Sequence, residues 1–165
     1  MSTTRAGARA AVAAFFAPPA VVGLNRVYTS FPKSSNLPSN TYTGNTGALS
    51  GAVGIVHIVR STESRIAIGG AHGGIKRTIY DVELQILMRS SQRLAEDSMN
   101  DFDAVLDATV SRLRSDRILG TDGLTVWQAG EQMLDVESAE PRITQSVTEI
   151  WSAIKFDLSQ FQANT

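Results

Sequence analysis

The sequence predicts an α+β fold: an antiparallel β-sheet, built as a meander plus closing strands, packed against an N-terminal helix and one central amphipathic helix. Three stretches carry that expectation. In Lys76–Arg89 (KRTIYDVELQILMR), Tyr80, Val82, Leu84, Ile86 and Met88 share one parity, and Asp81, Glu83, Gln85 and Arg89 share the other. A period of two with one apolar face is the signature of a half-buried strand. At about 3.3 Å per residue it runs roughly 45 Å, about twice the usual strand, so one end is expected to reach beyond the core. Ala52–Arg60 (AVGIVHIVR) is apolar on both parities, as in a strand covered on both faces or lying at a subunit contact. In Asn100–Ile118, Phe102, Val105, Leu106, Val110 and Leu113 instead follow the helical period and make one stripe that faces the sheet.

The remaining elements follow in chain order. Thr4–Ala17 is alanine-rich and stops at Pro18-Pro19, with Ser2 and Thr3 as candidate N-caps; it reads as a helix that packs Val12, Phe15 and Phe16 on the sheet. Its apolar run is too short for a signal peptide. Arg26–Phe31 is a short strand closed by Pro32. Ser34–Gly51 offers only Leu37, Tyr42, Ala48 and Leu49 to bury, so it is expected to be a long flexible loop within a single domain spanning residues 1–165. Ser61–Ser64 reads as a turn, with Arg65–Ile68 as the returning strand, and Gly69–Gly74 as the lead into the long strand. In the central helix Asp101, Asp103 and Asp107 come early and Arg112, Arg114 and Arg117 late, matching the helix dipole, with Gly120 as the stop. Leu124–Gln128 and Gln132–Val136 look like a hairpin around Ala129-Gly130. Val147–Phe161 fits both periods; its β-branched and aromatic content favours a closing strand.

Composition narrows the chemistry. The 165 residues include no cysteine, which removes disulfides, thiolate metal sites and thiol nucleophiles, and suits a reducing compartment. No run approaches the length of a membrane span. The net charge of −1 conceals an asymmetry: residues 1–62 hold five bases and no acid, and the remainder stands at −6. Such opposed charge suits head-to-tail contacts between copies and argues against dedicated nucleic-acid binding, which needs a concentrated basic patch. Of the two histidines, His57 lies within a strand and His72 within GGAHGG, a glycine-rich tip that lacks the Lys and Ser/Thr of a phosphate loop. Glu96, Asp97, Asp101 and Asp103 do not have calcium-loop spacing, and no G-x-S-x-G is present. The sequence therefore predicts no enzyme, cofactor or metal.

One segment resembles a known family. Ala11–Lys33 (AVAAFFAPPAVVGLNRVYTSFPK) places a short helix ended by prolines before a hydrophobic-Gly-hydrophobic step and a Val-Tyr strand ended by Pro. This resembles the start of the tail terminator proteins of long-tailed bacteriophages with non-contractile tails, whose α+β element order is similar to the one read above. The resemblance implies a virion protein at the head-proximal end of the tail, assembled in the host cytoplasm. It would form a homo-oligomeric ring, expected to be a hexamer, that caps the tail tube, stops its polymerisation and presents the surface that joins the head. Its expected partners are itself, the tail tube protein and a head completion or neck protein, with DNA passing through the lumen without specific binding, and no membrane. Asn36, Leu37, Tyr42, Asn45, Leu49 and His72 are the expected contact residues. The alternatives are another phage neck or tail-tube component, or a small α+β enzyme or ligand-binding domain using His57 or His72 in a pocket between the second helix and the sheet.

Overall fold

The computed structural model describes residues 4–31, 51–68, 74–90, 95–115, 118–119, 124–127, 134–138, 142–143 and 148–163. These form an α+β fold: helices α1 (Arg5–Phe16) and α2 (Ala95–Ser115), and strands β1 (Leu24–Tyr28), β2 (Gly51–Ile68), β3 (Gly74–Ser90), β4 (Ile118–Leu119), β5 (Leu124–Trp127), β6 (Asp135–Ser138), β7 (Arg142–Ile143) and β8 (Thr148–Ala163). The path across the sheet is β1-β2-β3-β8-β5-β4, and β6 and β7 also pair with β8. Every pairing is antiparallel except that of β1 with β2. None of the described helices is long and apolar enough to cross a membrane.

α1 begins one residue later than the sequence suggested. Thr4, not Ser2 or Thr3, is the N-cap, and its hydroxyl accepts the Gly7 N–H at 3.1 Å. The helix ends before the cis Pro18-Pro19 bond. Val12, Phe15 and Phe16 are buried as its amphipathic face requires. The Phe16 ring meets Phe15 at 5.0 Å and Phe156 of β8 at 6.3 Å, both edge to face. α2 buries Phe102, Val105, Leu106 and Leu113 and closes the same apolar layer. Near its far end Arg112 lies 4.3 Å over the Phe15 ring, which ties the two helices together.

The three long strands β2, β3 and β8 are the frame of the sheet. β3 pairs with β8 without a break, from Ile75↔Ala163 to Ser90↔Thr148. Tyr80, Val82, Leu84, Ile86 and Met88 thus lie beside Leu158, Phe156, Ile154, Ser152 and Ile150 on the face that the helices cover. Val53 and Ile55 on the other face of β2 are also buried, so this strand is covered on both sides along its first half.

Two features depart from the sequence reading. Ser61–Ser64 is not a turn: β2 continues through it, with Thr62↔Ile79 and Glu63↔Thr78 as cross-strand partners. The stretch has no Gly, Pro, Asn or Asp to set turn dihedrals. A register shift on either side, between Ile58 and Arg60 and between Arg65 and Ala67, absorbs the extra residues instead. The expected three-strand meander is therefore one long hairpin of β2 and β3. Nor do Leu124–Gln128 and Gln132–Val136 pair as a hairpin. β5 and β6 each pair with β8, at Val126↔Leu158 and Val136↔Ile154, and β7 follows at Ile143↔Thr148. A sixteen-residue strand offers an edge that no four-residue strand can cover alone, so the chain satisfies it piecewise. The central helix starts a turn before Asn100 and ends at Ser115; Gly120 lies outside the described residues.

Gly23 is the tightest backbone point. Its φ of 86° lies in the left-handed region, and a Cβ there would sit 2.6 Å from Val105 Cγ2. Gly23→Ala is expected to cost about 1–3 kcal/mol, from backbone strain and displacement of α2. Urea unfolding measures it; a loss under about 0.5 kcal/mol would show that the turn relaxes.

Candidate assembly surface

The surface with the most unspent bonding capacity is the outer edge of β2. β1 covers only its beginning, with Leu24↔Ala52 and Tyr28↔Ile55 as the first and last partners. Arg5 from α1 then donates to the Ile58 carbonyl at 2.6 Å. Beyond Ile58, no strand lies against this edge among the described residues. An uncovered edge exposes backbone N–H and C=O groups that are ready to pair with another chain. Here that edge belongs to the part of the sheet outside the core: Ser61, Thr62, Glu63, Ser64, Arg65 and Ile66 are all exposed.

The projecting half keeps its shape through side-chain pairs. Arg60 Nε donates to Asp81 Oδ2 at 2.8 Å, and Lys76 Nζ lies 2.7 Å from Glu63 Oε1. Arg77 lies 5.9 Å over the Phe161 ring. These exposed pairs contribute little stability individually, roughly 0–1 kcal/mol each, but together they hold β2, β3 and the end of β8 in register. Apolar side chains remain uncovered on this half: Val59, Ile66, Ile75 and Phe161 are 57%, 52%, 44% and 56% exposed.

The face of the sheet away from the helices carries charge. Asp81 and Asp157 are directly opposite each other on β3 and β8. Burial pushes the Asp157 carboxyl above the usual carboxylate range, and the Asp81 charge adds to this, while Arg60 and Arg77 pull the other way. A carboxyl whose pKa is higher folded than unfolded stabilises the fold below its unfolded pKa and loses that contribution as the pH rises through the folded value. At neutral pH the ionised Asp157 carboxylate is therefore a cost to the fold. Asp157→Asn is expected to raise stability there by less than about 1 kcal/mol and to flatten the pH dependence above the carboxylate range. Thermal melts from pH 4 to 8 read both, and an equal or lower melting temperature for the variant at pH 7 would contradict the repulsion. On the same face Lys155 Nζ meets Glu137 Oε1 at 2.7 Å, a bond that raises the lysine pKa.

The expected contact residues Asn36, Leu37, Tyr42, Asn45, Leu49 and His72 lie outside the described residues, as does most of the Ser34–Gly51 loop. His57 is half-buried, its ring 5.7 Å from Phe31 and its strand position opposite Glu83. Trp151, read as a core or interface aromatic, is 44% exposed on the face away from the helices. Sequence reasoning missed the β2 edge. Ser61–Arg65 is polar on both parities, and its serines and threonine were read as loop composition. Among the described residues no three His, Cys, Asp or Glu side chains gather where they would hold a metal ion. No family model matches the chain and no curated protein matches it, so the functional reading stands on its sequence and on this surface.

Proposed function

We propose that this chain is a structural subunit of a phage virion: a homo-oligomeric ring that caps the head-proximal end of the tail tube, stops its growth and offers the joining surface for the head. The observation that carries the reading is the β2 edge beyond Ile58, which no strand covers among the described residues and whose side chains from Ser61 to Ile66 are exposed. A monomer derives no stability from such an edge, whereas a neighbouring subunit covers it. The Ala11–Lys33 resemblance to tail terminator proteins names the assembly. The ring is taken as six copies, with tail tube protein on one side and a head completion or neck protein on the other. The acid-rich portion after residue 62 suits a lumen through which DNA passes without sticking, because like charges repel.

Electron microscopy of the purified chain, alone and with tail tube subunits of the same phage, tests the reading. Rings alone, and tubes of bounded length closed at one end in the mixture, are the expected results. Rings that leave tube length unbounded would instead indicate another neck component. Absence of any ring, with unrestrained tube growth, would overturn the proposal.

A further inference from the structure

The uncovered edge of β2 has two definite ends. On the core side, β1 stops opposite Ile55, and the Arg5 guanidinium donates to the Ile58 carbonyl at 2.6 Å. On the far side the strand ends at Ile68. Arg60–Ile68 is thus a notch longer than an ordinary strand, which no strand fills among the described residues. Glu63 and Arg65 share one face of it, as do their partners Thr78 and Lys76 on β3. Glu63 uses Oε1 to meet Lys76 Nζ at 2.7 Å, and the second oxygen of a carboxylate can accept a further donor. Arg65 stands directly opposite Lys76, a like charge, and has no ion pair among the described residues.

We infer that in the free protein the same edge of a second copy fills this notch: the two β2 strands pair antiparallel about a two-fold axis at Ser64, in an isologous dimer that has to open before the edge can serve a ring. The inference rests on the reading of this edge as an assembly surface and names what covers it before a ring forms. Two independent observations choose the register. The two-fold axis stands perpendicular to the sheet and preserves its faces, so each residue meets only residues of its own parity. The notch is filled end to end when Arg60 meets Ile68, which sets Ser64 opposite Ser64. Charge selects the same register. With Ser64 on the axis, Glu63 of each copy faces Arg65 of the other, which supplies twice the anion that Arg65 lacks within its own chain. The neighbouring registers centre on Glu63 or on Arg65 and place like charges directly opposite each other. The bulge between Arg65 and Ala67 leaves the central Glu63–Arg65 run regular. The edge is therefore self-complementary in both length and charge, which selects a second copy over an unrelated strand. Dimer and ring compete for one edge, so the dimer dominates in dilute protein and the larger ring takes over as concentration rises.

The chain has no cysteine, so a single introduced thiol reads the register directly. Ser64→Cys puts two thiols on directly opposed residues, whose Cα atoms lie about 4.5–5.5 Å apart in an antiparallel pair, within disulfide reach. Thr62→Cys leaves them four residues out of register, about 14 Å apart along the strands. Under mild oxidation Ser64→Cys is expected to form a covalent dimer, and Thr62→Cys to do so at least about tenfold less. Sedimentation velocity reads the charge pairs. Arg65→Glu is expected to weaken the dimer at least about tenfold, and Glu63→Arg in the same chain, which reverses both pairs, to recover most of that loss. All these positions are exposed, and unchanged thermal melts of the dilute variants confirm that they fold. A wild type that is monomeric at every concentration, as when a segment of the same chain covers the edge, would overturn the dimer. Equal cross-linking of the two cysteine variants, or a double variant no better than Arg65→Glu, would overturn the register and with it the proposal. Rings from a chain that never dimerises would remove the dimer and leave the ring reading standing. Oxidised Ser64→Cys that forms rings only after reduction supports both; rings that form without reduction would keep the dimer and show that the ring uses another surface. If the wild type never associates, alone or with tube subunits, both fail.

Discussion

Replacing Leu84 with Asp is expected to leave no folded protein. Leu84 is completely buried at the middle of β3, flanked by Val56 on one neighbouring strand and Ile154 on the other, with both helices closing over that face. An aspartate there lies among apolar neighbours on both flanking strands, so it must either bury a charge or take up a proton at neutral pH. The desolvation penalty adds to the lost leucine contacts, and the total reaches several kcal/mol. Domains are stable by only about 5–15 kcal/mol, and β3 is the one strand that both other long strands need. Far-UV circular dichroism and urea titration read the outcome. A soluble L84D variant with a cooperative transition near that of the wild type would show that this face of β3 is not the core.

Phe16→Ala is the second large effect, expected at about 3–5 kcal/mol. Phe16 is fully buried where the end of α1 meets the sheet, in edge-to-face contact with Phe15 and with Phe156 of β8. Truncation removes both ring contacts and opens a cavity under the proline pair that ends the helix, where the backbone has little freedom to collapse. For a domain of this size the loss corresponds to a fall in melting temperature of roughly 10 °C. Ala14→Ser, at an exposed position on the same helix, is the control and is expected to change stability by no more than about 0.5 kcal/mol. A Phe16→Ala variant within about 1 kcal/mol of the wild type would mean that α1 contributes little to the core.

The two predictions differ in how visible their basis was beforehand. Leu84 could be assigned to the core from alternation alone, because seven consecutive side chains of β3 obey it. Phe16 could be placed on the buried face of a helix, but not against Phe156, which is 140 positions away in the chain and meets it only after β8 has joined β3. The candidate surface was less legible still. Ser61–Arg65 is polar on both parities, and polarity of that kind is common to loops and to strands that leave the core; only the pairing of Thr62 with Ile79 and of Glu63 with Thr78 distinguishes them. The cavity between α2 and the sheet lies where the alternative reading placed a pocket, but its lining, which combines residues from the turn after α1, both long strands and α2, could not be named from the sequence.

Local periodicity by itself determined the long strand β3 and the central helix, because a buried face imposes its spacing on neighbouring residues whatever lies opposite; residue content added α1, through its alanines and the prolines that end it, and tipped β8, which fits both periods, towards a strand. Tertiary structure alone decided that β2 runs on through Ser61–Ser64, that β1 joins it in parallel, and that β5, β6 and β7 share one edge of β8. Those outcomes depend on which backbone edges remain unpaired once the long strands have met, and hydrogen bonding between strands distant in sequence leaves no periodic mark on either of them.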